Sequence, residues 1–199
     1  MGTSQHMFLT IYRISILTQD LASHISKKVR KAKSELILIE RSLDSFQGNS
    51  NVDKSKDSGV IHDAITSEMY RLACLIHVKR LLAPDMPDED ATIQLLVANF
   101  IEQLQQLPSD SPAHNILSWP LVVAGYSSTI KAHQKIISWR LCQIHQEWQS
   151  DIFSLSATFL QATWRKERGM KCARSELTTV ERSTKNYASI WRNLPVILA

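Results

Sequence analysis

Three residues of different chemistry recur at helical spacing in the segment 60–82. Tyr70, Cys74 and His77 are four and three positions apart, so a helix would place a phenol, a thiol and an imidazole on one side. The apolar residues of this segment form a separate stripe that consists of Ile61, Ile65, Met69, Leu72 and Ile76. The polar side is therefore either a solvated or second packed face, the commoner case, or the wall of a small-molecule pocket.

Three further side chains would complete such a pocket if they converged on the same helix face. His114, Trp119 and Tyr126 belong to the stretch "HNILSWPLVVAGY" (114–126). With His77 titrating near neutrality, the assembled site would also support general acid–base work. The spacing does not establish this convergence, and it identifies no catalytic residue. The candidate ligand-binding residues are Tyr70, Cys74, His77, His114, Trp119 and Tyr126.

The usual motifs of cofactor and metal chemistry do not occur in the sequence. There is no G-x-G-x-x-G, no G-K-[ST], no G-x-S-x-G and no H-E-x-x-H. Cys74, Cys142 and Cys172 are far apart and form no C-x-x-C pair, so neither a disulfide framework nor a cysteine zinc site is expected. We expect no cofactor and no metal.

The nine residues "SWPLVVAGY" (118–126) predict a short buried helix. Pro120 fits only the first turn of a helix, and Ser118 before it could cap that helix. The following "LVVA" is apolar on every side, which is typical of a helix enclosed by others. Gly125 either lets another backbone approach or ends the helix. A structural role is the commoner interpretation of this stretch.

Helical periodicity continues through nearly all of the 199 residues. The residues 7–46 predict one long helix or two with a bend near Ser23–Ser26, and Gly169 is expected to end a late helix. "QGNSNVDKSKDSG" (47–59) reads as a mobile linker. No run approaches the roughly 18 apolar residues of a membrane span. The predicted fold is all-α, an irregular antiparallel bundle of about seven helices in a single domain, 1–199.

Two other features have a plain and a sharper interpretation. "KKVRKAK" (27–33) holds five cations in seven residues, which indicates a solvated helix face or, more sharply, a nuclear-localisation or phosphate-contacting patch. Trp139, Trp148 and Trp164 lie at helical spacing and are expected to be core or interface anchors rather than stacking platforms.

Four segments taken in order resemble the regulatory domain of fungal zinc-cluster transcription factors. They are "EMYRLACLIHVKRLL" (68–82), "LLVANFIEQLQQLP" (95–108), "HNILSWPLVVAGY" (114–126) and "FLQATWRKERG" (159–169). The resemblance spans about 7–195, and its most specific part is W-P-L-x-x-A-G together with Tyr70 and Arg71. The family's DNA-binding module needs six cysteines, whereas this chain has three. We therefore expect the C-terminal part of the regulatory domain without that module.

The resemblance implies a nuclear regulatory or ligand-sensing domain that binds a small molecule or a protein partner. Because the six-cysteine module is missing and the net charge of +4 is mild, we expect no sequence-specific DNA binding by this chain alone. We also expect no membrane association, and a homodimer is possible. The alternative is a stand-alone, cytoplasmic biosynthetic enzyme of cyclase or isomerase type that reuses the helical scaffold around a pocket. A third interpretation is a purely structural dimerisation module.

Overall fold

The computed structural model describes residues 2–23, 25–46 and 58–173. The regular structure in this part of the chain is helical. Within these residues there are seven α-helices, one 3-10 helix and no strand, which confirms the all-α prediction. The α-helices are α1 (Gly2–Leu21), α2 (Ser26–Ser45), α3 (Ser58–Leu82), α4 (Ala91–Gln106), α5 (Ser118–Ser127), α6 (Lys131–Trp148) and α7 (Asp151–Ala173). The 3-10 helix, Pro112–Ile116, lies between α4 and α5.

Helix α3 is the centre of the bundle. It packs against α1, α2, α4 and α5, and every residue from Leu72 to Val78 is buried. Since α3 has neighbours all round, the side that carries Tyr70, Cys74 and His77 is a second packed face and not a solvated one.

The helix boundaries follow local signals in most places. The carboxylate of Asp90 accepts hydrogen bonds from the backbone N–H groups of Thr92 (2.9 Å) and Ile93 (3.1 Å), and so caps α4. The residues 7–46 form two helices, since α1 ends at Leu21 and α2 begins at Ser26.

Two predicted boundaries differ from the structure. Helix α3 begins at Ser58, so it includes the last two residues of the predicted linker 47–59, while 47–57 lie outside the described residues. Gly169 does not end α7, which continues to Ala173. A helix tolerates one interior glycine at a cost of about 1 kcal/mol, so a single glycine is a weak stop signal.

Helix α5 is the short buried helix that the sequence predicts. All of its residues except Tyr126 are buried, and Pro120 lies in its first turn. Ser118 does not cap it, because the chain enters α5 directly from the 3-10 helix and Leu117 occupies the cap position. The Ser118 hydroxyl instead lies 3.3 Å from the Ser156 hydroxyl of α7.

The tryptophans divide between core and surface. Trp164 is buried in the core, whereas Trp139 is 60% exposed and Trp148 is 41% exposed, so these two are not core anchors and an interface role for them stays a prediction. Trp139 lies two positions from both Ile137 and Leu141, two of the buried residues of α6, and therefore points away from the core. Trp148 is the last residue of α6.

None of the helices in the described ranges is both long enough and apolar enough to cross a membrane.

Candidate functional site

The centre of the candidate site is a stack of aromatic rings between α3 and α5. The rings of Tyr70 and Trp119 are nearly parallel, 12° apart, with centroids separated by 6.2 Å. His77 meets the same indole edge-on at 6.3 Å. All three side chains are buried, as is Cys74 on the same helix. The structure therefore brings together four of the six predicted site residues.

Local structure explains why this cluster forms. The chain passes from the 3-10 helix straight into α5, which turns Trp119 towards α3. The Tyr70 hydroxyl donates a hydrogen bond to the main-chain carbonyl of Ile116, at the end of the 3-10 helix. On the outer side, the half-exposed ring of Phe8 from α1 meets Tyr70 edge-on at 5.5 Å. Aromatic contacts thus extend from the surface to His77.

Burial keeps the titratable groups of this cluster neutral at physiological pH. It raises the pKa of the Tyr70 phenol well above its ordinary value, with a smaller contribution from Cys74. Burial also raises the pKa of the Cys74 thiol to about 12 and lowers the pKa of the His77 imidazole to about 3. The pKa of His77 thus differs from the near-neutral value that acid–base work would use.

There is little free space beside the aromatic stack. A cavity of about 10 Å³ adjoins Tyr70, which is the room that a single water molecule needs. Its lining residues come from α1, α3 and the 3-10 helix and are Met7, Phe8, Thr66, Ser67, Tyr70 and Ile116. The buried hydroxyl oxygen of Thr66 has no hydrogen-bond partner among the described residues.

His114 is not part of the aromatic stack and lies against α6. Its Nε2 lies 2.7 Å from the carbonyl oxygen of Pro108, and Arg140 from α6 donates to the carbonyl oxygen of Leu104 at 3.0 Å. Arg140 also lies 3.5 Å from the His114 ring. Burial lowers the pKa of both residues. This pair satisfies backbone groups at the end of α4, which is a structural role.

Tyr126 lies at a third place, against α7. Its half-buried ring is nearly parallel to that of Phe159, with centroids 6.4 Å apart. The ring contact with Phe159 thus places Tyr126 against α7, whereas His114 contacts Arg140 of α6.

The outward face of α1 is a feature that the sequence reasoning did not single out. It carries four large apolar side chains that are 42–67% exposed: Phe8, Leu9, Tyr12 and Ile16. The opposite face of α1 is buried through Met7, Ile14 and Leu17. A signal was available, because a helix that is apolar on both sides is typical of one with partners on both sides.

Metal-binding groups do not cluster in the described ranges. Among those residues, no group of three or more histidine, cysteine, aspartate or glutamate side chains could hold a metal ion.

The family model described as the fungal specific transcription factor domain matches residues 1–191. No curated protein and no solved structure matches the chain significantly.

Proposed function

The chain belongs to the family of fungal specific transcription factor domains, and on this premise we propose that it regulates by self-association through the outward face of α1. Family membership supports a regulatory role in general, and a regulator of transcription would work in the nucleus. The enzyme alternative has no support from the family match.

The observation that carries the proposal is the pattern of that face. Phe8 lies four residues before Tyr12 and Ile16 four residues after it, and all three side chains are exposed. If two copies of α1 packed antiparallel about a two-fold axis at Tyr12, Phe8 of each copy would meet Ile16 of the other. Symmetric homodimers use one patch on both subunits in this way.

The charges beside the face are compatible with its burial. Arg13 of α1 forms an ion pair with Glu35 of α2 at 3.1 Å, so its charge is already partly compensated within one chain. Ile116, 44% exposed, lies beside Phe8 and extends the apolar surface. A large apolar side chain contributes about 1.5–3 kcal/mol when it goes from fully exposed to fully buried. Because these side chains are already about half buried, each contributes roughly half of that, and several together from both copies can offset the entropy lost on association.

The test is the oligomeric state of the purified chain and its variants in sedimentation equilibrium. We expect the wild-type chain to dimerise with rising concentration. Tyr12→Glu should be monomeric, because the axis would bring two carboxylates together. Trp139→Glu is the matched control, since it places the same charge on another exposed aromatic residue, and it should dimerise normally.

A mixing experiment tests the two-fold axis itself. A residue on the axis faces its own copy, so Tyr12→Glu mixed with Tyr12→Lys should form a heterodimer although each variant alone is monomeric. A wild-type chain that stays monomeric at all concentrations, or equal loss of dimer in Trp139→Glu, would refute the proposal.

Ligand sensing at the Tyr70 stack is the second candidate. The unsatisfied hydroxyl of Thr66 in the cavity beside Tyr70 favours it, because such a group gains from a ligand donor or acceptor. At about 10 Å³ the cavity would have to open, and Phe8 and Ile116 are the half-exposed side chains at its edge. Trp119→Ala separates this candidate from a purely structural role, because a ligand site would lose affinity and a packing element would lose stability.

A further inference from the structure

The basic run of α2 forms a concentrated surface charge. All five cations are exposed, while Ala32 between them is buried against the bundle. These cations are Lys27, Lys28, Arg30, Lys31 and Lys33. Lys31 forms an ion pair with Glu35 of the same helix, which is long at 3.9 Å and solvent-exposed on the lysine side. The run thus carries a surplus of positive charge that an acidic partner would compensate.

Beside part of this cluster, one face of α2 forms the floor of a shallow groove of about 440 Å³ that is widely open to solvent. Its described lining residues are three or four positions apart and so share one face of α2. They are Ser26, Val29, Arg30, Lys33, Ser34 and Ile37. The groove therefore combines two cations, two hydroxyl groups and two aliphatic side chains.

We propose that this groove binds an acidic peptide segment of a partner protein that carries apolar side chains at helical spacing. Arg30 and Lys33 attract its carboxylates, while Val29 and Ile37 contact its apolar side chains. A nucleic-acid backbone would use the cations but would gain nothing from an aliphatic lining. The partner chemistry does not depend on self-association, because the groove and the outward face of α1 share no residue.

Fluorescence anisotropy with three labelled probes tests the chemistry of the partner. The first probe is a synthetic peptide with glutamate and leucine at helical spacing, and the second has serine in place of each leucine. The third is a DNA duplex of mixed sequence. At physiological salt we expect the first peptide to bind at least about tenfold more tightly than the other two probes, a difference of the size that a few buried apolar groups provide.

Charge reversal on two sides of α2 locates the site. Arg30→Glu with Lys33→Glu changes the groove, and Lys27→Glu with Lys28→Glu makes the same charge change outside it. The groove pair should weaken binding of the leucine peptide by at least about tenfold and the control pair by less than about threefold. If charge reversal disturbs folding, the milder pair Arg30→Gln with Lys33→Gln replaces it. This pair should also weaken binding of the leucine peptide more than the control pair does.

The variant Ile37→Ser separates a peptide site from a phosphate site. It should weaken the leucine peptide about fivefold, because part of the apolar lining is lost, and leave the weak binding of the duplex unchanged. Equal weakening by both charge pairs would overturn the proposal. So would tighter binding of the duplex than of the leucine peptide, equal binding of the serine peptide, or an Ile37→Ser variant that binds the leucine peptide normally.

Discussion

The indole Nε1 of Trp164 donates a hydrogen bond of 3.0 Å to the main-chain carbonyl oxygen of Gly125. This bond ties α7 to the last turn of the buried helix α5. It is possible because Gly125 has no side chain: a Cβ there would lie 2.5 Å from Cδ1 of Leu160 and 3.4 Å from Cγ2 of Ile137. The close approach of α5 to α6 and α7 therefore depends on this glycine.

Gly125→Val should lower the free energy of unfolding by about 1–3 kcal/mol, because a branched side chain would overfill a closed contact. Gly125→Ala should cost less, since the nearest atom is the movable end of Leu160 and alanine gains about 0.5–1 kcal/mol of helix propensity. Urea unfolding followed by circular dichroism measures both.

Gly59 provides the control for this pair of variants. A Cβ at Gly59 would have nothing within 4 Å, so Gly59→Ala should be neutral or slightly stabilising. If Gly125→Val unfolded at the same urea concentration as the wild-type chain, the close packing of α5 would not matter for stability.

The architecture could be predicted because it depends on local patterns. The apolar run of "SWPLVVAGY" has no polar side, so a helix made from it must be enclosed, and the structure buries all of α5 except Tyr126. For Trp139 a signal was available, because it lies two positions from both Ile137 and Leu141 and so faces away from the buried side of α6. The exposure of Trp148, the last residue of α6, depends on where the neighbouring helices end, and that is a tertiary property.

A second prediction concerns the hydrogen bond from the Tyr70 hydroxyl to the carbonyl of Ile116. Tyr70→Phe keeps the ring stack with Trp119 and removes only this bond. We expect a loss of about 1 kcal/mol in the free energy of unfolding, the usual net contribution of one such bond.

Tyr12→Phe is the matched control for Tyr70→Phe. In the monomer it removes the same atom from a ring that is 67% exposed, and surface changes of this kind usually stay within about 0.5 kcal/mol. Both variants are therefore compared at a protein concentration at which sedimentation shows the chain to be monomeric. Equal effects of the two substitutions on thermal unfolding would contradict a structural role of the Tyr70 hydroxyl.

The third prediction is a pH dependence of stability that arises from His77. Burial lowers its pKa from 6.5 to about 3 in the folded chain, so the unfolded chain binds more protons between these two values. The stability contribution is thus complete above about pH 6.5 and is lost as the pH falls towards about 3. By about pH 5 the loss from this one group should reach about 2 kcal/mol. His114, whose pKa is also lowered, acts in the same direction.

His77→Phe tests this assignment through the slope rather than the absolute stability. The variant removes the titrating group, so its free energy of unfolding should fall by about 2 kcal/mol less between neutral pH and about pH 5. The slope distinguishes titration from a general packing defect, which would shift the stability equally at both values. Identical slopes in the variant and the wild-type chain would show that His77 is not the titrating group.

The candidate site could be predicted only in part. Tyr70, Cys74 and His77 share a side of α3 because of their spacing, which the sequence contains. The addition of Trp119 depends on the angle at which α5 leaves the 3-10 helix. The positions of His114 and Tyr126 depend on which helices pack against them. His114 contacts Arg140 of α6, and Tyr126 contacts Phe159 of α7. These long-range relations have no signal in local spacing.

The last prediction concerns Trp119 and distinguishes a packing role of its indole ring from a role in a ligand-binding pocket. Its indole is 6% exposed and contacts both Tyr70 and His77, so Trp119→Ala should cost about 3–5 kcal/mol if the ring is a packing element. A domain of ordinary stability, about 5–15 kcal/mol, would then be folded only marginally, with a much lower Tm. If the ring instead belongs to an opening ligand pocket, Tm should change little and ligand affinity should disappear.

Thermal unfolding together with a thermal-shift screen of small apolar compounds measures both quantities on the same two samples. We expect the loss of stability, because the cavity beside Tyr70 has room for only one water molecule. An unchanged Tm in Trp119→Ala would reverse this conclusion and assign the aromatic stack to ligand binding.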